Sequence, residues 1–424
     1  MDHLVKKAYG QILQLFSANM IKAFFGFIGT IFVLRNWSAS DIGDIYTLVG
    51  VMLLFQQFGD LGTGSSFVQL YSRSNRDDIK TIETYLGFKI FVFLALFAFF
   101  LIITGYQFFV EPSRELFGLS AITIAAIFGI YGGSLTALTT ARQQFTKVSY
   151  FKIIPPAVKT GFIIILYYLN QTDFYWLLLA FILPSIVLLI LALFITGFPL
   201  WKHAFKLKQV FSRRGGQLYQ MSKWVFLIGF AQTSFAQLDV FMLKRLSSDV
   251  QISHFVSASR IAAIVFMFSQ AIFTVMLPKM RSYKSDSELV GFSYHILKLY
   301  FVFLVMMIPV TYVASYLMPL LLGQRYVAAV PILQVFVFQA IGHMFINTQS
   351  LIFYRKNVLH WLVIFSYIQL GLNFIGNIYA INLYRALGAV WLSTILNNVF
   401  YIVGLLFCLY ILKKDQKKAG EAPA

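Results

Sequence analysis

Residues 32–41 read FVLRNWSASD, where a long apolar run ends and a turn rich in serine and aspartate begins. Residues 241–249 read FMLKRLSSD and repeat this pattern 209 positions later. Two further pairs of similar segments keep nearly the same spacing: Leu116–Gly118 with Leu321–Gly323, and Ala141–Gln144 with Tyr354–Asn357. Three matches in one order indicate a chain built from two related halves, a pattern typical of membrane transporters whose site lies between the halves.

The composition places these halves in a membrane. Hydrophobic residues make up 59% of the chain and charged residues only 12%, with a mean hydropathy of +0.76. Runs of about 20 apolar residues predict an all-α polytopic protein with twelve spans: 12–34, 44–70, 86–105, 118–139, 153–169, 174–197, 224–243, 250–277, 291–317, 328–350, 360–383 and 388–412. We expect an amino-terminal six-helix lobe at 1–200, a basic cytoplasmic linker at 201–223, a carboxy-terminal lobe at 224–412 and a cytoplasmic tail at 413–424.

The cations are distributed unevenly between the two sides. Of the 34 Lys and Arg residues, 25 lie in loops or at the span ends beside them on the side of the amino terminus, three lie deep inside spans, and six lie on the opposite side: Arg35, Arg114, Lys244, Arg245, Arg325 and Arg385. The positive-inside rule therefore predicts that both termini are cytoplasmic. This rule also accounts for most of the net charge of +18, so we expect membrane lipids and not nucleic acid as partners of the basic loops.

Several features typical of enzymes are missing from the sequence. The single Cys408 and the six histidines show no metal-ligand spacing, so we expect no metal centre. No Walker A or glycine-rich phosphate loop is present, so we expect no nucleotide cofactor, and an Na⁺ or H⁺ gradient is the candidate for coupling. The outer loops are short, which leaves no room for a catalytic domain outside the membrane.

Three cations lie inside predicted spans, where a charge is costly and predicts function. Lys22 is about 15 Å from either end of the first span and shares its helix face with small or polar residues: Ala18, Asn19, Gly26, Gly29 and Thr30. We expect it to line a cavity, the alternative being neutralisation by a buried carboxylate. Arg260 in the eighth span has the same expected role, or else pairs with Asp239 or Asp249. Lys159 lines the cavity or bends its amine to the cytoplasmic surface.

Other polar residues in the spans complete the candidate set. Asp239 shares a stripe with Gln232 and Ala236 and is a candidate for ion coupling, or an ordinary partner of a nearby lysine or arginine. Asp60 lies in a stretch rich in Gly and Ser, where the helix is expected to break, and either couples an ion or caps the resumed helix. His343 and Asn347 are spaced as neighbours on the tenth span, and form a binding patch or simple bundle hydrogen bonds.

Four segments resemble one transporter family: Arg35–Tyr46, Gly59–Gln69, Val256–Arg260 continuing to Leu277–Lys279, and Leu322–Tyr326. They are similar to the polysaccharide-biosynthesis flippases, the O-antigen translocases of the multidrug/oligosaccharidyl-lipid/polysaccharide exporter superfamily. The resemblance covers essentially the whole chain. It implies two six-helix lobes around a cationic central cavity, in which Lys22 and Arg260 match positions on cavity-lining helices. Lys159 and Asp60 match no fixed motif of the family.

The resemblance also implies a cargo and a location. The expected cargo is an undecaprenyl-pyrophosphate-linked oligosaccharide, the repeat unit of O-antigen in lipopolysaccharide or of another surface polysaccharide. It would move by alternating access from the cytoplasmic to the periplasmic leaflet of a bacterial inner membrane, with a glycan polymerase and a chain-length regulator as partners. Fixed cations lower the cost of carrying a pyrophosphate with about two negative charges through hydrocarbon. Two alternatives stay open: a cation-coupled multidrug antiporter of the same superfamily, and a membrane-embedded glycan polymerase or glycosyltransferase.

Overall fold

The computed structural model describes residues 2–73, 79–109, 113–197, 206–283, 285–356 and 358–420. Within these ranges the chain forms α-helices, two short 3₁₀ turns and no strand. The helices are α1 (Asp2–Asn36), α2 (Ala39–Asp60), α3 (Thr63–Arg73), α4 (Ile79–Phe109), α5 (Arg114–Ala141), α6 (Phe145–Tyr168), α7 (Phe174–Thr196), α8 (Arg213–Leu246), α9 (Asp249–Ser282), α10 (Asp286–Leu322), α11 (Val330–Arg355) and α12 (Leu359–Gly420). The 3₁₀ turns are Leu207–Gln209 and Gln324–Ala329.

Apart from one or two residues in three of them, the predicted spans lie within helical structure, and the all-α polytopic fold is confirmed. Several helices are longer than the spans: α1 begins ten residues before the first span, and α8 begins eleven residues before the seventh. Among the described residues, ten segments are long and apolar enough to cross a membrane. One of them, Leu359–Gln416, contains both of the last two predicted spans. They are two helices that meet at a kink at Arg385, with φ 54° and ψ −136°, which lies between the predicted spans 360–383 and 388–412. The chain folds back at this kink, because Gln369 Nε2 donates a hydrogen bond to Asn397 Oδ1 at 2.8 Å, and the label α12 covers both helices.

The predicted break in the second span is present. α2 ends at Asp60, Leu61 and Gly62 adopt left-handed φ angles of 51° and 66°, and α3 begins at Thr63. Glycine tolerates this conformation because it has no Cβ. A Cβ on Gly62 would also lie 2.6 Å from backbone atoms of Ser222 and Phe226, so the break packs directly on the first half of α8.

Short polar side chains start several helices, as the turn composition indicates. The hydroxyl of Ser38 accepts a hydrogen bond from the backbone N–H of Asp41 at the start of α2. Ser113 and Asp173 cap α5 and α7 in the same way. These three side chains therefore satisfy backbone N–H groups that a helix start leaves unpaired.

The chain forms two compact units, Met1–Ser234 (unit 1) and Phe235–Ala424 (unit 2), and the division falls inside α8. In unit 1, α1 packs along α6, and α5 packs against α2, α4 and α7. In unit 2, α11 packs against α9, α10 and α12. Aromatic residues occupy both cores, with Phe67 stacked on Tyr85 in unit 1 and Tyr300 against Tyr401 in unit 2.

Outside the spans, an ion-pair cluster holds the end of α12 in unit 2. The Lys356 ammonium lies 2.6 Å from an Asp286 oxygen and 2.8 Å from an Asp415 oxygen. Partial burial opposes the charged form of Lys356, but the two carboxylates outweigh it and raise the pKa of Lys356. The cluster therefore stays charged at neutral pH and joins the start of α10 to the end of α12.

Candidate functional site

Polar contacts join α1 and α6 in unit 1. The Lys152 ammonium donates a hydrogen bond to Asn19 Oδ1 at 3.0 Å, and Gln14 Nε2 donates to Thr146 Oγ1 at 3.2 Å. Further along, Thr160 Oγ1 donates to the Phe25 carbonyl at 2.7 Å. The two helices approach closely at this point because Gly29 faces Thr160 without a Cβ between them.

Lys22 lies on this polar side of α1. Its side chain is exposed, and it is close enough to Lys152 for the two positive charges to repel each other. Among the described residues no carboxylate pairs with Lys22. Its accessible charge beside a second cation is an arrangement that attracts an anion.

Lys159 is a third cation, and it lies on α6 like Lys152. Lys152 and Lys159 are seven residues apart, so they share one helix face about 10 Å from each other. The Lys159 ammonium lies 3.2 Å from the ring centroid of Phe181 on α7, so the aromatic ring holds it in place. Sequence reasoning assigned Lys152 to a loop, although its seven-residue spacing from Lys159 was a usable signal. We name Lys22, Lys152 and Lys159 the α1–α6 cation cluster.

The predicted residues of unit 2 lie on different helices. Arg260 is exposed on α9. His343 and Asn347 lie on α11, but their side chains lie outside the part of the chain that the structure describes.

Asp239 on α8 is the centre of a buried polar cluster in unit 2. The residue is 4% exposed, and its Oδ1 accepts hydrogen bonds from Asn373 Nδ2 at 3.0 Å and Asn377 Nδ2 at 2.7 Å, both on α12. Ser393, in the part of α12 after the kink, lies close enough to interact with this carboxylate, while its hydroxyl donates to the Ala389 carbonyl at 3.0 Å. Asn377 Oδ1 is buried and has no hydrogen-bond partner among the described residues. We name these four residues the Asp239 cluster.

The Asp239 cluster has a chemistry suited to a small cation. Among the described residues no cationic side chain pairs with Asp239, and Lys244 pairs with Asp249 at 2.8 Å. A carboxylate buried in an apolar bundle is stable only when it is hydrogen-bonded, protonated or bound to a cation. Carboxylate, amide and hydroxyl oxygens are ligands of hard cations such as Na⁺. The cluster can therefore hold either Na⁺ or H⁺.

Asp60 lies at the α2–α3 break, and its carboxylate has two partners. Its Oδ1 accepts a hydrogen bond from the Gly64 backbone N–H at 3.2 Å, and the same atom lies 3.0 Å from the Lys89 ammonium. Asp60 thus accepts a hydrogen bond from a backbone N–H in the first turn of the resumed helix. Lys89 was assigned to a cytoplasmic loop from the sequence, but its side chain is buried in α4.

Comparisons with known proteins show the family through a sequence profile and the fold through solved structures. A sequence profile for the family described as "Polysaccharide biosynthesis protein" matches residues 33–331. The lipid II flippase MurJ, in an inward closed conformation, is similar in structure with a TM-score of 0.70 and 18% identity, over 94% of this chain and 87% of that chain. No curated protein matches the sequence significantly.

Two further solved structures share the fold at lower similarity. A transporter of the MOP superfamily from Pyrococcus furiosus aligns with a TM-score of 0.60 and 14% identity, over 95% of this chain and 96% of that chain. A multidrug resistance transporter of the MATE family aligns with a TM-score of 0.58 and 14% identity, over 95% and 99% of the two chains. At these identities the likeness shows the fold alone.

Proposed function

The chain belongs to the polysaccharide biosynthesis protein family, and from that premise we propose that it is a flippase for undecaprenyl-pyrophosphate-linked oligosaccharides. The cargo would be a repeat unit of O-antigen or of another surface polysaccharide. It would move from the cytoplasmic to the periplasmic leaflet of a bacterial inner membrane. The solved structure with the highest TM-score of those described above is itself a flippase of a lipid-linked molecule, which supports this class of transporter.

The α1–α6 cation cluster is the observation that carries the proposal. A pyrophosphate diester has about two negative charges, and its transfer into hydrocarbon without compensation is prohibitive. Lys22 and Lys152 place two neighbouring positive charges on one accessible surface of unit 1. We propose that they bind the pyrophosphate, with Lys159 as a third contact and Arg260 of unit 2 as a further candidate. His343 and Asn347 remain candidates for sugar contacts.

We propose that the Asp239 cluster couples transport to an Na⁺ or H⁺ gradient. Its buried carboxylate has no cationic partner among the described residues, whereas the carboxylate of Asp60 already pairs with Lys89. Asp239 is therefore the better of the two ion-coupling candidates. The membrane potential adds to this coupling, because outward movement of each negative charge across an inside-negative membrane gains about 2.3 kcal/mol per 100 mV.

The test of cargo binding uses a strain that lacks this protein. We expect lipid-linked repeat units to accumulate on the cytoplasmic side of the deletion strain and wild-type protein to clear them. Lys22→Ala should lower the rate of clearance about 10-fold or more, because it removes a charge-assisted contact with phosphate. Lys152→Ala should act in the same direction.

The matched control is Lys298→Ala, which removes an exposed helix lysine outside the cation cluster. It should clear repeat units at the wild-type rate when the protein levels are equal. Full activity of Lys22→Ala and Lys152→Ala together at equal expression would refute the proposed anion site.

Two rival functions predict different results. A multidrug antiporter would export cationic dyes, so dye efflux from cells that express the protein would favour that function. A glycan polymerase would lengthen lipid-linked chains in purified form. The pair of cations at Lys22 and Lys152 favours an anionic cargo over a cationic drug.

A further inference from the structure

A lysine side chain binds the oxygen atoms at the α2–α3 break in unit 1. At such a break the last carbonyl groups of a helix lose their intrahelical donors. The Lys89 ammonium lies 3.1 Å from the Gly59 carbonyl oxygen, 2.9 Å from the Asp60 carbonyl oxygen and 3.0 Å from Asp60 Oδ1. An ammonium has three N–H donors, so each donor has one oxygen acceptor here.

This ammonium is enclosed by protein. Lys89 is 1% exposed, and its Nζ lies 5.2 Å from the centroid of the Tyr85 ring. The residue is the fourth of the predicted third span, 86–105. A charge enclosed by protein in this way is stable only with strong partners. The three oxygens therefore stabilise the charge of Lys89, and the ammonium in turn supplies each oxygen with a hydrogen-bond donor.

The three oxygens are the ligands that a free monovalent cation would use. Broken helices in transporters bind Na⁺ through unwound carbonyls and the negative end of the half-helix dipole. Here two such carbonyls and one carboxylate meet at a single point, and the lysine nitrogen occupies it. The break must also keep its shape, because Gly62 packs on the backbone of α8.

We propose that Lys89 is a tethered cation that permanently fills a monovalent-cation site at the α2–α3 break. Unit 1 then exchanges no ion at this break during transport, and among the described residues the Asp239 cluster in unit 2 is the candidate site where an ion enters or leaves. This last consequence rests on the proposed ion coupling, whereas the occupied site at the break does not.

The experiment asks whether a free ion can replace the ammonium. Lys89→Met keeps most of the side-chain length but leaves the three oxygens without a cation. The variant is made together with Asp239→Asn, so that the Asp239 cluster contributes no response. We expect the purified double variant to unfold about 3 °C or more higher in NaCl or KCl than in choline chloride at equal ionic strength. Asp239→Asn alone should show no such difference.

The control is the triple variant Lys89→Met, Asp60→Asn, Asp239→Asn, which also lacks the Asp60 carboxylate. Its unfolding temperature should be the same in NaCl, KCl and choline chloride. Equal unfolding temperatures of the Lys89→Met, Asp239→Asn protein in all three salts would overturn the proposal. Failure to obtain that protein in any salt, while the variant with Asp60→Asn is produced normally, would also overturn it. These measurements need no glycan substrate, so their outcome is independent of whether the flippase assignment is correct.

Discussion

At the scale of single residues, burial makes Asp239 the candidate for ion coupling. Its carboxylate is nearly inaccessible and is held by amide groups instead of a cationic side chain. The sequence indicated a polar stripe on this helix, but the partners Asn373 and Asn377 are 134 and 138 positions away. No local pattern connects residues at that separation, so their meeting depends on the tertiary structure.

Asp239→Asn should abolish the dependence of the unfolding temperature on Na⁺ and pH and keep the fold. The amide is close in shape to the carboxylate and still accepts hydrogen bonds, while the cost of a buried charge disappears. We expect the purified variant to unfold at the wild-type temperature or above it in choline chloride, with no further gain from NaCl or from a lower pH.

Glu115→Gln neutralises an exposed carboxylate and is the control for this change. It should keep the wild-type response to NaCl and to pH. A wild-type protein whose unfolding temperature is insensitive to both Na⁺ and pH would contradict an ion site at Asp239.

At the scale of helices, close packing depends on glycines that the spacing of apolar residues does not reveal. Gly132 and Gly133 are neighbours on α5 and look equivalent in sequence. A Cβ on Gly132 would lie 2.8 Å from Leu188 Cγ and 3.1 Å from the Leu189 backbone nitrogen on α7, whereas a Cβ on Gly133 would meet nothing within 4 Å. Small residues of this kind allow membrane helices to approach each other.

Gly132→Ala should therefore destabilise unit 1 by about 1–3 kcal/mol through overpacking against α7. Gly133→Ala should be neutral or slightly stabilising, because alanine is the better helix former. Thermal unfolding of the two purified variants beside wild type gives the comparison. Equal stability of both variants would show that the α5–α7 contact is looser than described.

Helix ends and breaks were partly readable from the sequence. The break near Asp60 followed from its Gly- and Ser-rich surroundings, and Ser38 was placed in the turn that follows the first apolar run. The boundary predicted between the last two spans, at 384–387, contains the kink at Arg385 that divides α12 into two helices. Lys89 and Lys152 were assigned to loops because both lie near predicted span ends, where side chains usually reach water.

At the scale of the whole molecule, orientation in the membrane remains a prediction from charge. Paired cysteine substitutions in a Cys408→Ala background test it. Gln144→Cys lies between α5 and α6, and Gln171→Cys lies between α6 and α7; both positions are exposed. A membrane-impermeant maleimide should label Gln171→Cys in intact spheroplasts and label Gln144→Cys only after permeabilisation. The reverse result would place both termini outside the cytoplasm.

The sequence by itself determined the class of molecule. Its apolar runs predicted the membrane helices, and its pairs of similar segments predicted two related halves, because hydropathy and repetition are local properties of a chain. The family resemblance likewise rested on short segments that can be recognised without a structure. The pairing of Lys152 with Asn19, the carbonyl cage around Lys89 and the amides around Asp239 were decided only by the tertiary structure. Helix packing brings these distant residues together, and the cost of leaving a charge unpaired in an apolar interior determines which polar groups must meet.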